Sequence, residues 1–572
     1  MKEMWKNIRT VMRMRHERHV SKLLFFMIAG ACLEVCGVSA VLPSISAILD
    51  QEFMHANPYA SRICSFLGIR SHQGFIAFCL GFLLTVFIVK NWILLMKTRY
   101  HADYALAFQY EIRKKVFHKY LKKNYSFFFS NHSSEIYRRL LDDVGKVYAT
   151  FDSVLNILTD GIVDLFLFAT VFFIDWKLSF LVFSVTLAFF LILTRMVRPV
   201  VRKSGEKAYQ AQAIRNKWIH QALTGIKTVK ITRKEEFFES KSAHEDFIFS
   251  EAEKKHLTLS AIPKIVLEML CIIILVTVVI MIAAGGSRYE VIIPQIGAIG
   301  VAILKLIPGI NSIISNFISI QYRIPAIQRV AEISEENDPE ESRGEFPAVY
   351  HRAIEIRGMS FRYDENGRQI FKDTDFTIPV GKMIGIMGPS GEGKTTLADI
   401  LLGLLTLDKG KVLADGIDIR RDLEKWQKSI GYVTQNVFLL DDSVKANIAF
   451  GIRDDQIDED LLWEAMAEAH IDELIRSLPE GVNTRVGEGG IKFSAGQCQR
   501  IGIARALYAR PQILIFDEAT SALDTETESA VIQSINELYG KHTILIISHH
   551  AMALQRCDEV YTIRDGSLIR ER

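Results

Sequence analysis

The sequence has little cysteine and almost no net charge. Its seven cysteines lie far apart along 572 residues and form no Cys-x-x-Cys pair, so the spacing predicts neither a disulfide framework nor a zinc site. They are expected to act as small apolar residues in a reducing compartment. The formal net charge is only +2 at pH 7, and the absence of a global basic field argues against a nucleic-acid partner.

Hydrophobic residues make up 49% of the chain, but they are concentrated before residue 320. This part contains six apolar stretches, at about 23–49, 74–96, 154–174, 178–194, 257–284 and 291–318. Each stretch is near the roughly 20 residues that an α-helix needs to cross a bilayer. The pattern therefore predicts an all-α domain of six membrane-spanning helices.

Lysine and arginine cluster between spans two and three and between spans four and five. The positive-inside rule places both loops in the cytoplasm, together with everything that follows span six. A short helix is predicted in each loop, within 127–147 and within 218–238. Residues 1–22 interleave basic and apolar side chains, which predicts an amphipathic elbow helix on the cytoplasmic membrane surface; a secretory signal is the competing interpretation.

The composition divides the chain into three parts. The predicted transmembrane domain occupies 1–330 and includes a long external loop at about 50–73, whose apolar face suits a small helix. The segment 331–347 is polar, acidic and without an apolar period, so we interpret it as a linker. Within 348–572, short strand-like runs at 353–356, 383–387, 513–516 and 543–547 alternate with helical patterns. This alternation predicts an α/β nucleotide-binding domain.

A phosphate-loop pattern follows one of these strands. The residues from Gly388 to Thr396 read GPSGEGKTT. Glycines let backbone N–H groups surround a phosphate, Lys394 can reach the terminal phosphates of ATP, and Thr395 can hold Mg²⁺. A glycine-rich turn without a ligand is the alternative. The candidate ATP contacts in this loop are Gly388, Ser390, Gly391, Gly393, Lys394, Thr395 and Thr396.

Two acidic residues end another apolar strand. The residues from Ile513 to Glu518 read ILIFDE. Asp517 is placed to hold Mg²⁺, and Glu518 to polarise the water that attacks ATP. Alone, such an acidic pair would more often be a solvated strand end.

The segment FSAGQ, from Phe493 to Gln497, lies just upstream of Asp517. It resembles the LSGGQ signature of ATP-binding cassette proteins, and the resemblance covers the whole chain. The resemblance implies an ATPase with ATP and Mg²⁺ as cofactors and with Glu518 and His549 as catalytic residues. The resemblance also gives roles to residues of other motifs, which occur along the chain in the order usual for the family. Tyr363 is expected to stack on adenine, and Gln435 to be the Q-loop glutamine and a Mg²⁺ ligand. Ser494, Gly496 and Gln497 belong to the signature, Asp524 to the D-loop, and His549 is the switch histidine.

Six spans before the cassette resemble a type IV exporter. This resemblance implies a domain-swapped homodimer, in which Ser494 of one chain faces the ATP held by Lys394 of the other. ATP binding is then expected to turn the spans outward, and hydrolysis to reset them. Phe493 and Ala495 depart from the usual signature, and His550 stands where many members have arginine.

Three lysines lie inside predicted spans: Lys90 in span two, Lys264 in span five and Lys305 in span six. Lys90 lies about 16 residues and Lys305 about 14 residues in from the outer end of its span, and Lys264 lies about 7 residues from the inner end of its span. For spans of about 20 residues, at about 1.5 Å per residue, these counts place all three roughly 6–10 Å from the cytoplasmic face. Charges inside a membrane are costly, so three cations at one depth predict a site for an anion. Each side chain could instead extend to the interface, and Lys264 could pair with Glu268 one turn on.

Together with Glu34 and the external loop, these lysines resemble features of the bacterial lipid-linked oligosaccharide flippases. That resemblance implies an ATP-driven flippase of polyprenyl-pyrophosphate-linked oligosaccharide in the bacterial cytoplasmic (inner) membrane, serving protein glycosylation or surface polysaccharide assembly. The family's cavity cations are arginines, so lysine keeps the charge but loses the bidentate geometry. The alternatives are an exporter of another amphiphile, such as lipid A-core or drugs, and, in another class, an ATP-gated channel or a non-transporting cassette regulator. The expected partners are a second copy of the chain and membrane lipid.

Overall fold

A computed structural model describes residues 20–49, 58–69, 71–174, 176–284, 289–335, 346–347, 349–364, 367–389, 391–520 and 525–572. Most of the predicted elbow helix (1–22), most of the predicted linker and part of the external loop lie outside these ranges. The chain divides into two compact units. The first contains the described residues of 1–123 and 128–338, and the second contains 124–127 with those of 339–572.

The chain before the cassette is helical. Its helices are α1 (Val20–Leu49), α2 (Pro58–Leu67), α3 (His72–Leu121), α4 (Tyr125–Ser130), α5 (Ser133–Arg138), α6 (Val144–Ile174), α7 (Trp176–Thr224), α8 (Ile226–Thr232), α9 (Glu235–Ala284) and α10 (Tyr289–Glu335). A π-helical turn, Arg139–Asp143, joins α5 to α6. The short helices α4, α5 and α8 confirm those predicted in the two cytoplasmic loops, and α2 confirms the helix predicted in the external loop.

The helices are much longer than a bilayer is thick. For example, α3 has 50 residues and extends for about 75 Å, whereas the hydrocarbon core is about 30 Å thick. Within the described ranges, three segments are long and apolar enough to cross a membrane: His72–Leu121, Ser133–Thr170 and Phe183–Thr224. The first segment contains predicted span two, and the other two overlap predicted spans three (154–174) and four (178–194). Because a helix satisfies its own backbone hydrogen bonds, it can continue from lipid into water without interruption.

Close packing joins α7, α9 and α10. Buried apolar side chains from all three helices form one cluster that includes Val201, Leu267 and Ile314. At Gly205 of α7, an added Cβ would lie 2.1 Å from the carbonyl oxygen of Tyr322 on α10. Glycine is therefore needed there so that the two helix backbones can approach.

The second unit contains two sheets. Its strands are β1 (Ala353–Arg362), β2 (Gln369–Pro379), β3 (Met383–Met387), β4 (Lys409–Ala414), β5 (Ile417–Asp418), β6 (Ile430–Val433), β7 (Ile513–Asp517), β8 (Thr543–Ile547), β9 (Glu559–Arg564) and β10 (Ser567–Arg570). The antiparallel sheet has the order β2-β1-β4-β5, and the larger sheet has the order β10-β9-β3-β8-β7-β6. The larger sheet is parallel from β9 to β6. All four predicted strand positions are confirmed.

Helices pack around the parallel sheet. They are α11 (Lys394–Leu401), α12 (Leu423–Lys428), α13 (Val444–Ile448), α14 (Glu459–Glu468), α15 (Asp472–Ser477), α16 (Ala495–Tyr508) and α17 (Thr525–Glu537). Strands β7 and β8 are buried along their whole length, which explains why they are continuous apolar runs. The segments after β3, β6, β7 and β8 leave the sheet at the same edge, where ligands of parallel sheets bind.

Candidate active site

The phosphate loop connects β3 to α11. Its glycines Gly388, Gly391 and Gly393 have positive φ angles of 150°, 83° and 108°. A Cβ at Gly393 would lie 2.6 Å from Cγ2 of Ile370, so this position requires glycine for space as well as for backbone conformation. The sequence thus builds a tight curve that ends at the N-terminus of α11, where backbone N–H groups favour an anion.

Lys394 begins α11 and is buried. Its Nζ donates to the carbonyl oxygens of Gly388 at 2.8 Å and Pro389 at 3.2 Å, and it lies 3.5 Å from Oε1 of Glu518. The ammonium therefore bridges the phosphate loop and the carboxylate that follows β7. A phosphate in this loop would give Lys394 a stronger, charge-assisted partner than the two carbonyls.

Glu518 occupies an uncommon backbone conformation, with a φ of 49°. Its N–H donates to the carbonyl oxygen of Ile547 at 2.8 Å, which fixes the turn after β7. Oε1 of Glu518 lies 3.7 Å from Nδ1 of His549. The structure therefore brings together three of the predicted residues, Lys394, Glu518 and His549, from segments adjoining β3, β7 and β8.

Asp517 is the last residue of β7 and is buried. Its Oδ2 accepts a hydrogen bond from the Tyr432 hydroxyl at 3.3 Å, whereas its buried Oδ1 accepts none from the described residues. Burial and the charge of Glu518 raise the pKa of Asp517, while the hydrogen bond from Tyr432, the charge of Lys394 and a hydrogen bond from Thr395 oppose the rise.

This carboxylate fits a hard divalent cation. A buried oxygen without a donor, beside the Thr395 hydroxyl, is a suitable ligand position for Mg²⁺. The described ranges contain no group of three or more His, Cys, Asp or Glu that could hold a metal. A Mg²⁺ ion at Asp517 would therefore take most of its ligands from ATP and water, as this ion commonly does.

Tyr363 lies directly after β1, with half of its surface exposed. Its hydroxyl is 2.9 Å from Oγ1 of Thr396 on α11, and its ring packs edge-to-face against Phe361 with ring centroids 5.1 Å apart. These two contacts hold the ring beside the phosphate loop. An aromatic ring beside a phosphate loop is suited to stack on a base.

The Q-loop is attached to the signature helix. Gln435 is exposed two residues after β6, and Val433 pairs with Phe516 in the sheet, so the loop begins beside the end of β7. Nε2 of the buried Gln499, on α16, donates to the carbonyl oxygen of Thr434 at 3.0 Å. A shift of the Q-loop would therefore act directly on α16.

The signature forms the N-terminus of α16. Oγ of Ser494 accepts from the Gln497 N–H at 3.3 Å, and the Ser494 N–H donates to Oε1 of Gln497 at 2.9 Å. This reciprocal pair is a capping box, which fixes the helix start. Ala495 is the first residue of α16, where alanine is a good helix former, and Gly496 is buried behind it. The departure from the usual signature therefore leaves the helix start intact.

The two adjacent histidines have different partners. His549 faces Glu518, whereas Nδ1 of His550 lies 2.9 Å from Oε1 of the buried Glu528 on α17. Oε1 of Glu528 also accepts a hydrogen bond from the Thr520 hydroxyl at 3.2 Å. His550 thus connects α17 to the segment after β8.

Sequence reasoning missed two residues of the site. Asp399 is buried on α11, and burial together with the charge of Asp517 raises its pKa to about 6. Tyr432 donates to Asp517, and burial raises the pKa of its hydroxyl. Asp399 could have been found because it lies four residues after Thr395, on the same face of the helix. No local pattern distinguishes Tyr432 from an ordinary strand residue.

Some predicted residues remain without structural detail. Ser390, Asp524 and the side chain of Lys305 lie outside the described residues. Lys90 is buried, and its Nζ forms an ion pair with Glu34 at 2.6 Å. Lys264 is exposed on α9, and within the described ranges it forms no ion pair with Glu268.

Two family profiles match the chain. The family described as "ABC transporter transmembrane region" matches residues 26–304, and the family described as "ABC transporter" matches residues 371–521. A helical membrane region joined to this ATP site defines an ATP-driven translocase. The chain belongs to the ABC transporter family, and it is a membrane protein with an ATP-binding cassette.

Curated relatives align with most of the chain. A protein of Coxiella burnetii (strain RSA 493 / Nine Mile phase I) is 28% identical over 517 residues, which cover 87% of this chain and 86% of the relative. A protein of Burkholderia thailandensis (strain ATCC 700388 / DSM 13276 / CCUG 48851 / CIP 106301 / E264) is 26% identical over 571 residues, which cover 96% and 91%. Both are named ATP-dependent lipid A-core flippase. These names favour the lipid A-core alternative over the polyprenyl-linked oligosaccharide expected from the loop and lysine positions.

A solved structure has the same fold. It is entitled "Structure of a bacterial Atm1-family ABC exporter with ATP bound", and it matches with a TM-score of 0.76 over 93% of both chains. Sequence identity is 20%, so this likeness bears on the fold alone. It confirms the predicted exporter architecture, with a helical transmembrane region fused to a nucleotide-binding domain.

Proposed function

We propose that the chain is a flippase that uses ATP to move an anionic glycolipid of the lipid A-core type from the inner to the outer leaflet of a bacterial cytoplasmic membrane. The observation that carries this proposal is the alignment with named lipid A-core flippases through both halves of the chain, up to 96% of its length. Because that alignment includes the helical region, it reaches beyond the cassette that all ABC transporters share.

In this proposal the cassette residues divide the work of hydrolysis. Lys394 and the phosphate-loop N–H groups orient the terminal phosphates, and Glu518 accepts a proton from the attacking water. His549 holds the water and phosphate in place from the segment after β8. Thr395, Asp517 and Gln435 would hold Mg²⁺ together with ATP, and the bound ion would supply positive charge against the phosphates.

The second half of each ATP site would come from another copy of the chain. Ser494, Gly496 and Gln497 lie at the N-terminus of α16, which attracts an anion such as the terminal phosphate. In the family's head-to-tail homodimer, this terminus faces the phosphate loop of the partner. ATP would then join the two cassettes, with Asp524 at their interface.

Lys90, Lys264 and Lys305 remain candidate contacts for the anionic head group. The Glu34 carboxylate 2.6 Å from Lys90 already balances its charge, so Lys90 can bind an anion strongly only when Glu34 moves away or is protonated. Lys264 is exposed and needs no such rearrangement. We therefore expect Lys264→Gln to weaken transport more than Lys90→Gln.

A reconstitution experiment tests the cargo. The full chain is placed in proteoliposomes with either a fluorescent lipid A-core analogue or a fluorescent polyprenyl-pyrophosphate oligosaccharide, and ATP-dependent transfer between leaflets is measured. We expect transfer of the lipid A-core analogue, which stops in Glu518→Gln. Transfer of the polyprenyl substrate alone would refute the proposed cargo, and hydrolysis without transfer of either lipid would refute the proposed function.

A further inference from the structure

An aspartate lies deep inside predicted span three. Asp164, on α6, is ten residues beyond the cytoplasmic end of that span at residue 154. At about 1.5 Å per residue it is about 15 Å from the cytoplasmic face, near the middle of a hydrocarbon core about 30 Å thick. Ionisable side chains at this depth are costly and usually functional. Neither ATP hydrolysis nor cargo binding, as proposed above, uses this residue.

The Asp164 carboxylate packs against α10. At Gly309 of α10, an added Cβ would lie 2.2 Å from Oδ1 and 2.5 Å from Oδ2 of Asp164. Both oxygens are buried, and no group of the described residues donates a hydrogen bond to either. An ionised carboxylate in such a place is strongly disfavoured. A protonated carboxyl is neutral, and its O–H can itself donate to a carbonyl oxygen.

Charged groups lie near Asp164 on its own helix and on the helices packed against α6. On α6, Asp160 lies one turn closer to the cytoplasm, and its carboxylate is close enough to repel that of Asp164. Basic side chains of α3, α7 and α10 contact other groups: Lys90 contacts Glu34 of α1, Lys97 is beside Asp160, Arg198 contacts Gln321, and Arg323 contacts Ser153. Lys305 lies one turn before Gly309 on α10, and its side chain is outside the described residues. An ion pair with Lys305 is therefore the alternative to a proton.

A row of polar residues connects Asp164 to the cytoplasm. Asp152, Asn156, Asp160 and Asp164 occupy every fourth position of α6, so each lies one turn beyond the last. Nδ2 of Asn156 donates to Oδ2 of Asp152 at 3.2 Å, and Oδ1 of Asp152 lies 3.0 Å from Nε2 of His101 on α3. The Asp152 side chain is 39% exposed, so the row begins in contact with water. Such rows of carboxylates and histidines conduct protons in membrane transporters.

A proton fits this site better than a metal ion. A divalent cation such as Mg²⁺ or Ca²⁺ requires six or more oxygen ligands. The described ranges contain no group of three or more His, Cys, Asp or Glu that could hold a metal. The Gly309 backbone also lies directly against the Asp164 oxygens, so there is little room for an ion with its water. A proton needs no further ligand.

We propose that Asp164 binds a proton while α10 covers it and releases that proton when ATP moves α10 away from α6. Uptake converts the carboxylate and one proton to a carboxyl group, and release is the reverse step. Pro308 precedes Gly309, and α10 can bend here because proline has no N–H to donate within the helix. The protein thereby links ATP-driven movement to proton exchange, an activity beyond lipid transport. The inference rests on ATP moving the spans and not on the cargo.

The full chain in phosphatidylcholine nanodiscs, carrying Glu518→Gln so that ATP binds without hydrolysis, tests the site. A pH-indicator dye in weakly buffered solution counts the protons released when Mg²⁺-ATP is added. The further change Asp164→Asn should lower this release by about one proton per chain, because the amide has the shape of the neutral acid but no proton to lose. ATP should also remove an infrared band of a protonated carboxyl, and this loss should be absent in the Asp164→Asn protein. The matched control is Asp103→Asn, an exposed change on the cytoplasmic part of α3, which should leave both signals unchanged.

Equal proton release with and without Asp164→Asn would overturn the inference. So would the absence of the carboxyl band in the Glu518→Gln protein, which would assign the charge of Asp164 to an ion pair with a residue such as Lys305. Binding of a fluorescent ATP analogue verifies that each variant is folded. If Asp164→Asn does not fold, the Glu518→Gln protein alone still tests the site. Its proton release should fall as the starting pH rises, because the packed state then holds no proton, and a release that does not fall at any pH at which the protein stays folded would contradict the proposal.

The outcome is separable from that of the proposed function, because the nanodiscs contain no lipid A. If Asp164 releases its proton but lipid A-core is never transported, the proton site stands and the proposed cargo fails. If lipid A-core is transported but Asp164→Asn releases as many protons as its parent, the cargo stands and the proton site fails.

Discussion

Two buried aspartates, Asp143 in the helical unit and Asp517 in the cassette, differ in how their carboxylates are satisfied. Both oxygens of Asp143 accept hydrogen bonds from Nη1 of Arg138, at 3.0 and 3.2 Å, and Oδ2 also accepts one from the Tyr209 hydroxyl at 3.0 Å. Oδ1 of Asp517 accepts none from the described residues. A satisfied carboxylate stabilises the fold, whereas a buried oxygen without a donor indicates that a ligand completes the site.

The cations beside these two aspartates, Arg138 and Lys394, also differ in how their hydrogen-bonding groups are satisfied. Arg138 is enclosed by Asp143 and Tyr209, with its guanidinium over the Tyr209 ring at 4.2 Å. Lys394 has two carbonyl oxygens and a carboxylate 3.5 Å away. One cluster joins α5 and α7 around the π-helical turn, and the other is arranged around a phosphate. Substitutions in the first cluster should therefore change stability, and substitutions in the second should change ATP hydrolysis.

The largest effect is expected from Glu518→Gln. Loss of the general base should lower the rate of ATP hydrolysis by about 10²- to 10⁴-fold, while ATP binding persists because Lys394 and the phosphate loop are intact. Phosphate release and binding of a fluorescent ATP analogue measure the two quantities. Glu424→Gln, an exposed change on α12, is the matched control, and a hydrolysis rate near wild type in Glu518→Gln would exclude the proposed role.

Arg138→Met should affect stability rather than hydrolysis chemistry. It leaves Asp143 buried without its cation, which costs about 3–5 kcal/mol of unfolding free energy. The double variant Arg138→Met, Asp143→Leu should recover part of that loss. Thermal unfolding of the purified full chain measures both.

The control for this prediction is Arg329→Met. Arg329 pairs with Glu332 on an exposed face of α10, and both side chains are more than half exposed, so its loss should cost no more than about 1 kcal/mol. Equal destabilisation by the changes at Arg138 and Arg329 would mean that burial of the first pair has no structural role.

A smaller, pH-dependent effect is expected from Asp399→Asn. The folded cassette raises the pKa of Asp399 from its ordinary value of 3.8 to about 6, because the side chain is buried and faces Asp517. The folded state therefore binds more protons than the unfolded state between these values, so stability falls as the pH rises through this window. The loss is complete above pH 6 and is absent below about pH 4.

The substitution removes this cost. Asp399→Asn should stabilise the nucleotide-free protein by about 1–2 kcal/mol at pH 7.5, allowing for solvent screening, and by about half as much at pH 5. Unfolding midpoints of both proteins from pH 5 to 8 measure the difference. If the difference between the two unfolding midpoints does not grow with pH, ionisation of Asp399 does not destabilise the folded protein.

How much the sequence predicted depends on whether a feature is local or long-range. The phosphate loop, Glu518 and the strand positions follow from residues adjacent in the chain. The pairing of Lys90 with Glu34, by contrast, joins two helices far apart in sequence, and no local pattern specifies it. Asp399 was missed because its importance arises from the charge of Asp517 on a neighbouring strand. The choice of cargo also depends on long-range contacts in our proposal, because side chains from several helices would bind the lipid together.

The smallest effect is expected from His550→Ala. This variant can be compared directly with the same substitution at the adjacent His549. His550 pairs with Glu528 at 2.9 Å and is partly exposed, so its loss should cost no more than about 1 kcal/mol of stability. Hydrolysis should stay within about twofold of wild type, because the His550 side chain pairs with Glu528 rather than with Glu518.

His549→Ala removes the side chain that faces Glu518, and should lower hydrolysis by roughly 10²-fold without a comparable loss of stability. Steady-state hydrolysis and unfolding midpoints of the two variants, measured side by side, distinguish a histidine that positions the reacting groups from one that stabilises the fold. If the two variants lost hydrolysis equally, the partner of each imidazole would not determine its role. The contrast between side chains satisfied within the fold and side chains that face a ligand would then fail for these two adjacent histidines.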